Sequence, residues 1–306
     1  MNLLDGNKAV ITEIERFAVN DGPGIRTLVF IKGCPLHCLW CCNPETRGRA
    51  PQLAYTRAKC LDCGNCVAVC EVEALKRTEL GVEIDRKKCT VCGLCSAQCP
   101  AEALVVIGES MSPEEVFEEI NKDFVFYKSS GGGVTLSGGE PLASPKFAHA
   151  LLSLCKQAGI HTAVETCGHA PWKSFKLVLP VLDTVLFDFK HPDEKRHVQG
   201  TGGSNKKILD NLLRLDREEK EIIIRIPLIP GFNDSEQDLT ETLFFVSQLK
   251  HVTKVDLLPY HKLGRPKYEK IGIKYRIDDL MTHEREKVLS LKKVVENFGY
   301  KVTIGG

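Results

Sequence analysis

The sequence predicts an α/β protein built on a parallel β-sheet and interrupted near its start by a cysteine-rich segment. Three observations carry that reading. From about residue 134 onward, short runs rich in β-branched residues alternate with longer amphipathic stretches. The alternation recurs roughly every 25–35 residues, as expected of βα units with right-handed crossovers. Between residues 51 and 108 the texture differs: short cysteine runs alternate with short charged stretches, and no long amphipathic helix appears.

Taken in order, residues 8–17 and 26–32 read as strands from their β-branched and aromatic content. Ser112 reads as a helix N-cap, with Pro113 at the first helical position and Glu115 completing a capping box. That helix is expected to run to about Tyr127. Strands follow over 134–136, 161–165, 184–189, 221–228, 254–258 and 300–304. Helices are expected over 144–158, ending at Gly159, and over 172–179, 205–217, 235–249 and 278–298. This gives about six βα units after the first strand, which suits either a doubly wound sheet or a barrel. Parallel sheets place their sites at the C-terminal ends of strands. Four motifs fall there: the cysteine loop 33–43, Gly138-Gly139-Glu140-Pro141, Glu165-Thr166-Cys167-Gly168 and Asp188-Phe189-Lys190.

The chain has 306 residues, 43% hydrophobic and 26% charged, which is ordinary globular composition. A net charge of +1 provides no strong field for nucleic acid or an anionic membrane. No apolar run approaches the ~18 residues of a membrane helix. The first ten residues lack the basic-then-apolar layout of a signal peptide, so a cytoplasmic location is expected. Of fourteen cysteines, eleven form three spaced groups between Cys34 and Cys99. Reduced, metal-bound thiolates explain that clustering better than disulfides do.

The first group is Cys34-x3-Cys38-x2-Cys41, on the loop after the second strand. Three thiolates on one tight loop can hold three irons of a 4Fe–4S cube and leave the fourth open to a substrate. Cys42 is an alternative ligand, but neighbouring side chains point apart, so Cys41 and Cys42 are not expected to face one cluster together. Zinc wants four closed ligands, usually in two pairs, which this triplet matches poorly. The other groups are Cys60-x2-Cys63-x2-Cys66-x3-Cys70 and Cys89-x2-Cys92-x2-Cys95-x3-Cys99-Pro100. This doubled run is the bacterial ferredoxin pattern, in which the fourth cysteine of each run ligates the other run's cluster. One cube would take Cys60, Cys63, Cys66 and Cys99, and the other Cys89, Cys92, Cys95 and Cys70. Glu71 replaces the proline that follows the second run. Closed cubes have no open iron, so electron relay is the natural role, with a purely structural staple as the alternative.

The three-cysteine loop is flanked by Asp21-Gly22-Pro23-Gly24-Ile25-Arg26-Thr27 and by Asn43-Pro44-Glu45. Together these resemble the radical S-adenosylmethionine (SAM) enzymes and, more narrowly, the glycyl-radical-enzyme activating enzymes of the pyruvate formate-lyase activating type. The likeness runs from about residue 8 to the C-terminus. It implies a partial (β/α)6 TIM-like barrel over 1–50 and 109–306, with a ferredoxin-like insert over 51–108. It implies three 4Fe–4S clusters, SAM and a small monovalent cation. Trp40, Cys41 and Cys42 would lie beside the cofactor. Gly138, Gly139 and Glu140 would hold the methionine amino group, with Glu165, often Asp in the family, on the same ammonium. Lys190 would take the SAM carboxylate, at a strand end shared with Phe189. Asp188, Glu165 and Thr166 would line the cation site. Arg225, whose fork suits a carboxylate or a sugar edge, and His261, near the adenine, complete the expected site.

Asp21, Gly22, Pro23, Gly24 and Arg26 would meet the glycine-bearing loop of a partner enzyme, with Asp21 and Arg26 bonding its backbone. The reaction implied is reductive cleavage of SAM, followed by hydrogen abstraction from a glycine of that partner. A reduced flavodoxin or ferredoxin would supply the electron. The alternatives are a radical SAM enzyme acting on a small molecule and a non-catalytic iron–sulfur electron carrier. Plainer readings stand beside these: a Gly-Gly turn at 138–139, an Asp188–Lys190 surface pair, a flexible approach at 131–133, and Cys155 and Cys167 as small buried residues.

Overall fold

The computed structural model describes residues 7–305. Residues 1–6 and 306, included in the expected domain ranges, lie outside the described residues.

The described residues form thirteen strands: β1 (Ala9–Ala18), β2 (Arg26–Ile31), β3 (Gln52–Tyr55), β4 (Leu75–Thr78), β5 (Gly81–Ile84), β6 (Leu104–Ile107), β7 (Glu109–Met111), β8 (Gly133–Gly138), β9 (His161–Thr166), β10 (Thr184–Asp188), β11 (Glu221–Leu228), β12 (Val252–Pro259) and β13 (Val302–Ile304). Nine form one sheet in the order β13-β12-β11-β10-β9-β8-β2-β1-β7. In that sheet β2, β8, β9, β10, β11, β12 and β13 run parallel, while β1 is antiparallel to both β2 and β7. The fold is therefore α/β with a central parallel sheet. β8, β10 and β11 are buried almost continuously, as parallel strands covered on both faces must be. β1 is largely exposed over its C-terminal half, and so are the short edge strands β7 and β13.

Helices connect the parallel strands where the amphipathic pattern places them, over Pro145–Gln157, Trp172–Val178, Lys206–Arg217 and Glu236–Val246. Two expected helices are shorter. The Ser112 capping box is present, but its helix stops at Asn121 and a second begins at Phe124. Asp123 interrupts them because its buried carboxylate turns inward, accepting from Arg16 Nε at 2.8 Å and Thr27 Oγ1 at 3.0 Å. A short acidic side chain that competes for hydrogen bonds favours such a junction over a helix interior. The last helix begins at Arg285 rather than near 278. Two short helices, Glu194–Thr201 and Arg265–Lys270, carry too little periodicity to be read from sequence.

The cysteine-rich segment forms two small antiparallel pairs, β3–β6 and β4–β5. Leu53, Cys66, Leu75, Cys95 and Leu104 make its own small core.

Candidate active site

The four motifs meet at one rim. Cys34 to Asn43 follow β2, Gly139 follows β8, Cys167 follows β9, and Lys190 follows β10. The cysteine loop is clamped from both sides. Cys34 N donates to Arg47 O at 3.0 Å, and Leu39 N to Gly200 O at 2.9 Å. Beneath it the backbones of β2 and β8 come so close that only glycine fits. A Cβ on Gly138, at φ +104, would lie 2.5 Å from Ile31 N, and one on Gly139 would lie 2.7 Å from Gly33 O.

These elements enclose a cavity of about 190 Å³. Cys34, Cys38, Trp40, Cys41 and Cys42 line one side, and Gly138, Gly139, Glu165, Asp188 and Lys190 the other. Cys41 and Cys42 thus reach the same cavity, although adjacent side chains were expected to diverge. The bend of the loop after Trp40 allows it, and Cys42 Sγ lies 3.7 Å from Nε2 of the exposed His261. Trp40 packs on Phe232 with ring centroids 4.7 Å apart.

The charges here are paired in a chain. Lys190 Nζ donates to Asp188 Oδ2 at 2.9 Å. Burial works against the Lys190 cation, but Asp188 and the nearby thiols outweigh it and raise its pKa. Arg225 is only 4% exposed and holds two carboxylates with Nη1, Asp21 at 3.0 Å and Glu165 at 3.0 Å. Burial raises the Glu165 pKa, and Arg225 opposes that rise. The expected fork at Arg225 therefore engages carboxylates of the chain itself, and links Asp21 to the cavity wall.

Four expected site residues sit differently. Glu140 is fully buried and does not line the cavity. Its carboxylate accepts from Leu142 N at 3.1 Å, Thr166 Oγ1 at 2.8 Å and Cys167 N at 2.9 Å, bracing the β8 loop against the β9 loop. Phe189 is core, packed on Phe245 at 5.5 Å, because the strand alternation turns it away from its neighbours Asp188 and Lys190. His261 is exposed at the edge and does not itself line the cavity, although its Nε2 reaches Cys42, which does.

Arg26, expected on the partner-facing surface, is fully buried. It donates to Thr135 Oγ1 at 2.6 Å and Pro23 O at 3.0 Å, and Thr135 Oγ1 donates to Asp21 O at 2.7 Å. Arg26 thus shapes the 21–24 turn from beneath. Burial pushes its pKa down to about 10. The turn rests on the glycine triplet that reads as a flexible approach: a Cβ on Gly24 would meet Gly132 N at 2.4 Å, and one on Gly132 would meet Ile25 O at 1.8 Å. Close backbone packing explains Gly132 and Gly133, and Gly131 ends the preceding helix at φ +70.

Cys167 is a site residue that motif reading undervalued. It lines the cavity, and its Sγ lies 3.0 Å from Glu140 Oε2. Its position directly after a strand in the shared rim was the available signal.

The donor set suits iron–sulfur clusters. Burial pushes the Cys38 thiol up to about 12 and the Cys42 thiol up to about 11, so a thiolate there needs a cation beside it. Among the described residues no group of three or more His, Cys, Asp or Glu side chains converges on a single ion. A cube takes its thiolates at separate iron corners. In the insert, Cys60, Cys63, Cys66 and Cys99 line one small cavity, and Cys70, Cys89, Cys92 and Cys95 line another. Each cavity thus gathers three cysteines of one run and the fourth of the other. No helix among the described residues is long and apolar enough to cross a membrane.

Comparison with known proteins agrees with this chemistry. Residues 86–243 match the radical SAM superfamily, and residues 51–103 match a 4Fe–4S dicluster domain. The first match begins beyond the three-cysteine loop. The isethionate sulfite-lyase activating enzyme of Nitratidesulfovibrio vulgaris is 45% identical over 262 residues, 83% of this chain and 85% of that protein. The trans-4-hydroxy-L-proline dehydratase activating enzyme of Clostridioides difficile is 40% identical over 300 residues, 97% of this chain and 99% of that protein. A radical SAM methyltransferase from Sphaerobacter thermophilus shares the fold at a TM-score of 0.50 and 13% identity, over 71% of this chain and 61% of that one. With relatives this similar over nearly their whole length, the chain belongs to the radical SAM activating enzymes of glycyl radical enzymes.

Proposed function

We propose that this chain installs a glycine-centred radical in a partner enzyme of the lyase or dehydratase type, with Cys34, Cys38 and Cys41 as the three thiolates of its SAM-binding cube. The observation that carries the reading is the cavity where those cysteines face Gly138, Gly139, Glu165 and Lys190. When bound, that cube and SAM supply reductive cleavage of the sulfonium to methionine and a 5′-deoxyadenosyl radical, which takes a hydrogen from the partner's glycine. The chain's own residues bind, orient and exclude water. Lys190 offers a cation to the SAM carboxylate, and Glu165 with the carbonyls of 138–139 receives the ammonium. Trp40 walls the pocket, and Cys42 with His261 forms its outer edge. Asp188, Thr166 and Glu165 are the set proposed for a monovalent cation.

The insert over 51–108 is read as ferredoxin-like with two further cubes, for three in all. The remainder, 1–50 and 109–306, is read as a partial barrel. Asp21 and the Gly22-Pro23-Gly24 turn face the partner's extended loop, held in shape by Arg26 and Arg225. A reduced flavodoxin or ferredoxin is the proposed donor.

The test is anaerobic mixing of the loaded protein with SAM, reductant and a purified glycyl radical enzyme. An α-hydrogen doublet in the partner's EPR spectrum is expected. Asp21→Asn should lower that signal more than it lowers SAM cleavage without partner. Loss of both in equal measure contradicts the partner-facing role of Asp21.

A further inference from the structure

The insert's two cysteine cavities stand in different relations to the three-cysteine loop. β3 starts beside that loop, where Gln52 Nε2 lies 3.5 Å from Glu45 O, and runs away from it. Leu53 lines the cavity of Cys70, Cys89, Cys92 and Cys95. Tyr55, further along the same strand, lines the cavity of Cys60, Cys63, Cys66 and Cys99. The lining of this second cavity bonds back into the insert. Tyr55 Oη accepts from Val82 N at 3.2 Å, and Arg57 pairs with Asp62 at 3.0 Å.

The first cavity is bonded onward. Arg86, on the approach to Cys89, donates to Leu53 O at 2.7 Å and to Lys270 O at 3.3 Å. Its guanidinium lies so close to Gly272 that a Cβ there would meet Nε at 2.7 Å. Lys270 ends the helix Arg265–Lys270, and that helix grips the cysteine loop. Tyr268 Oη donates to Cys41 O at 3.0 Å and accepts from Arg47 Nη2 at 2.8 Å. Lys267 Nζ donates to Asn43 Oδ1 at 2.7 Å and Glu45 Oε1 at 2.8 Å.

We propose that the two insert sites form an ordered electron chain. Cys70, Cys89, Cys92 and Cys95 hold the inner cube, and Cys60, Cys63, Cys66 and Cys99 hold the outer one. Arg86 and the 265–270 helix are the fixed bridge to Cys34, Cys38 and Cys41. This order rests on the cluster reading above and adds a direction to it. Electron tunnelling weakens steeply with each through-space gap, and a bonded path of short contacts favours the inner set as the immediate donor. An external low-potential one-electron reductant loses one electron at the outer site. The same electron passes to the inner site and then to the three-cysteine site, and no bond or proton moves. Tyr268 is 2% exposed, so the end of the bridge at the cysteine loop is packed, while Arg86 spans the exposed gap to Lys270 O.

Magnetic coupling between reduced cubes tests the order without SAM or a partner. Failure to activate any glycyl radical enzyme therefore leaves its outcome untouched. The loaded holoprotein is reduced with dithionite, and the EPR relaxation of the three-cysteine site is measured in the unaltered chain and two variants. Cys60→Ala/Cys63→Ala should lose about four irons per chain and keep the coupling. Cys89→Ala/Cys92→Ala should lose the same iron and leave the three-cysteine signal narrow and slowly relaxing. The reverse pattern, equal loss in both variants, or no coupling in the unaltered chain overturns the proposal. Should an alanine variant fail to load, Cys60→Ser and Cys89→Ser retain altered cubes, and only the serine at Cys89 should change the coupling.

Discussion

Replacing Arg225 by methionine tests the charge chain that ties Asp21 and its turn to the cavity. The guanidinium is 4% exposed and lies 3.0 Å from both Asp21 and Glu165, whose side chains are 15% and 20% exposed. At an effective dielectric near 20, one such contact is worth about 4 kcal/mol before desolvation is counted. Burying the arginine cancels much of that, so the pair contributes little net stability. Removing only the cation is different, because two buried carboxylates then face each other uncompensated. Breaking a buried pair from one side costs about 3–5 kcal/mol. At roughly 2–3 °C per kcal/mol for a chain of this size, the melting temperature should fall by roughly 6–15 °C.

The double variant Arg225→Met/Glu165→Gln removes one stranded charge and should recover about 1–3 kcal/mol of that loss. The sign with pH is also fixed. Glu165 already titrates above its ordinary 4.5 because of burial, and losing Arg225 raises it further. From 4.5 up to that raised value the folded state holds a proton the unfolded state has released, so stability falls as pH rises. The deficit of Arg225→Met should therefore be smaller at pH 5 than at pH 8. Anaerobic thermal unfolding of the loaded protein, followed by circular dichroism, reads both effects. Additive losses in the double variant together with a pH-independent deficit would refute the reasoning.

Three further outcomes follow from the site. Cys38→Ala should lose about a third of the bound iron, and SAM should no longer perturb the EPR spectrum, while the insert signals persist; full iron content would contradict its ligand role. Glu140→Gln breaks the brace between the β8 and β9 loops and should cost about 1–3 kcal/mol with weaker SAM binding, measured by urea unfolding and equilibrium dialysis; unaltered SAM affinity would separate the brace from the pocket. Burial pushes Lys32 down to about 8 from its ordinary 10.5. Between those values the unfolded state binds more protons, so stability should rise with pH, and Lys32→Met should abolish that rise.

The sequence exposed what local pattern encodes. The βα rhythm, the capping box at Ser112 and the two ferredoxin-type runs are spacing signals, and their elements appear where those signals fall. Both cysteine sets of the insert were legible because the doubled run follows the bacterial ferredoxin pattern, in which the fourth cysteine of each run joins the other set. Side-chain direction was not legible. Arg26 sits in an exposed-looking turn motif yet points beneath it, because Thr135 Oγ1 and Val134 O of β8 receive its guanidinium. Glu140 sits in the expected rim motif but is spent on Thr166 and Cys167, whose proximity only the pairing of β8 with β9 creates. Asp123 looks like one polar position in a helix, until Arg16 and Thr27 arrive from other strands. Each miss came from a partner distant in sequence.

The antiparallel pairing of β3 with β6 places Gln52 opposite Ile107. Directly opposed residues in such a ladder lie about 5 Å apart. The chain thus departs from the three-cysteine loop and returns beside its point of departure, ready to add β7 to the sheet edge. An excursion hinged at one doorway imposes no stretch on its host, and its length has only a slow entropic effect. Evolution could therefore exchange, shorten or remove the cysteine-rich module as a cassette, while the main sheet kept its register.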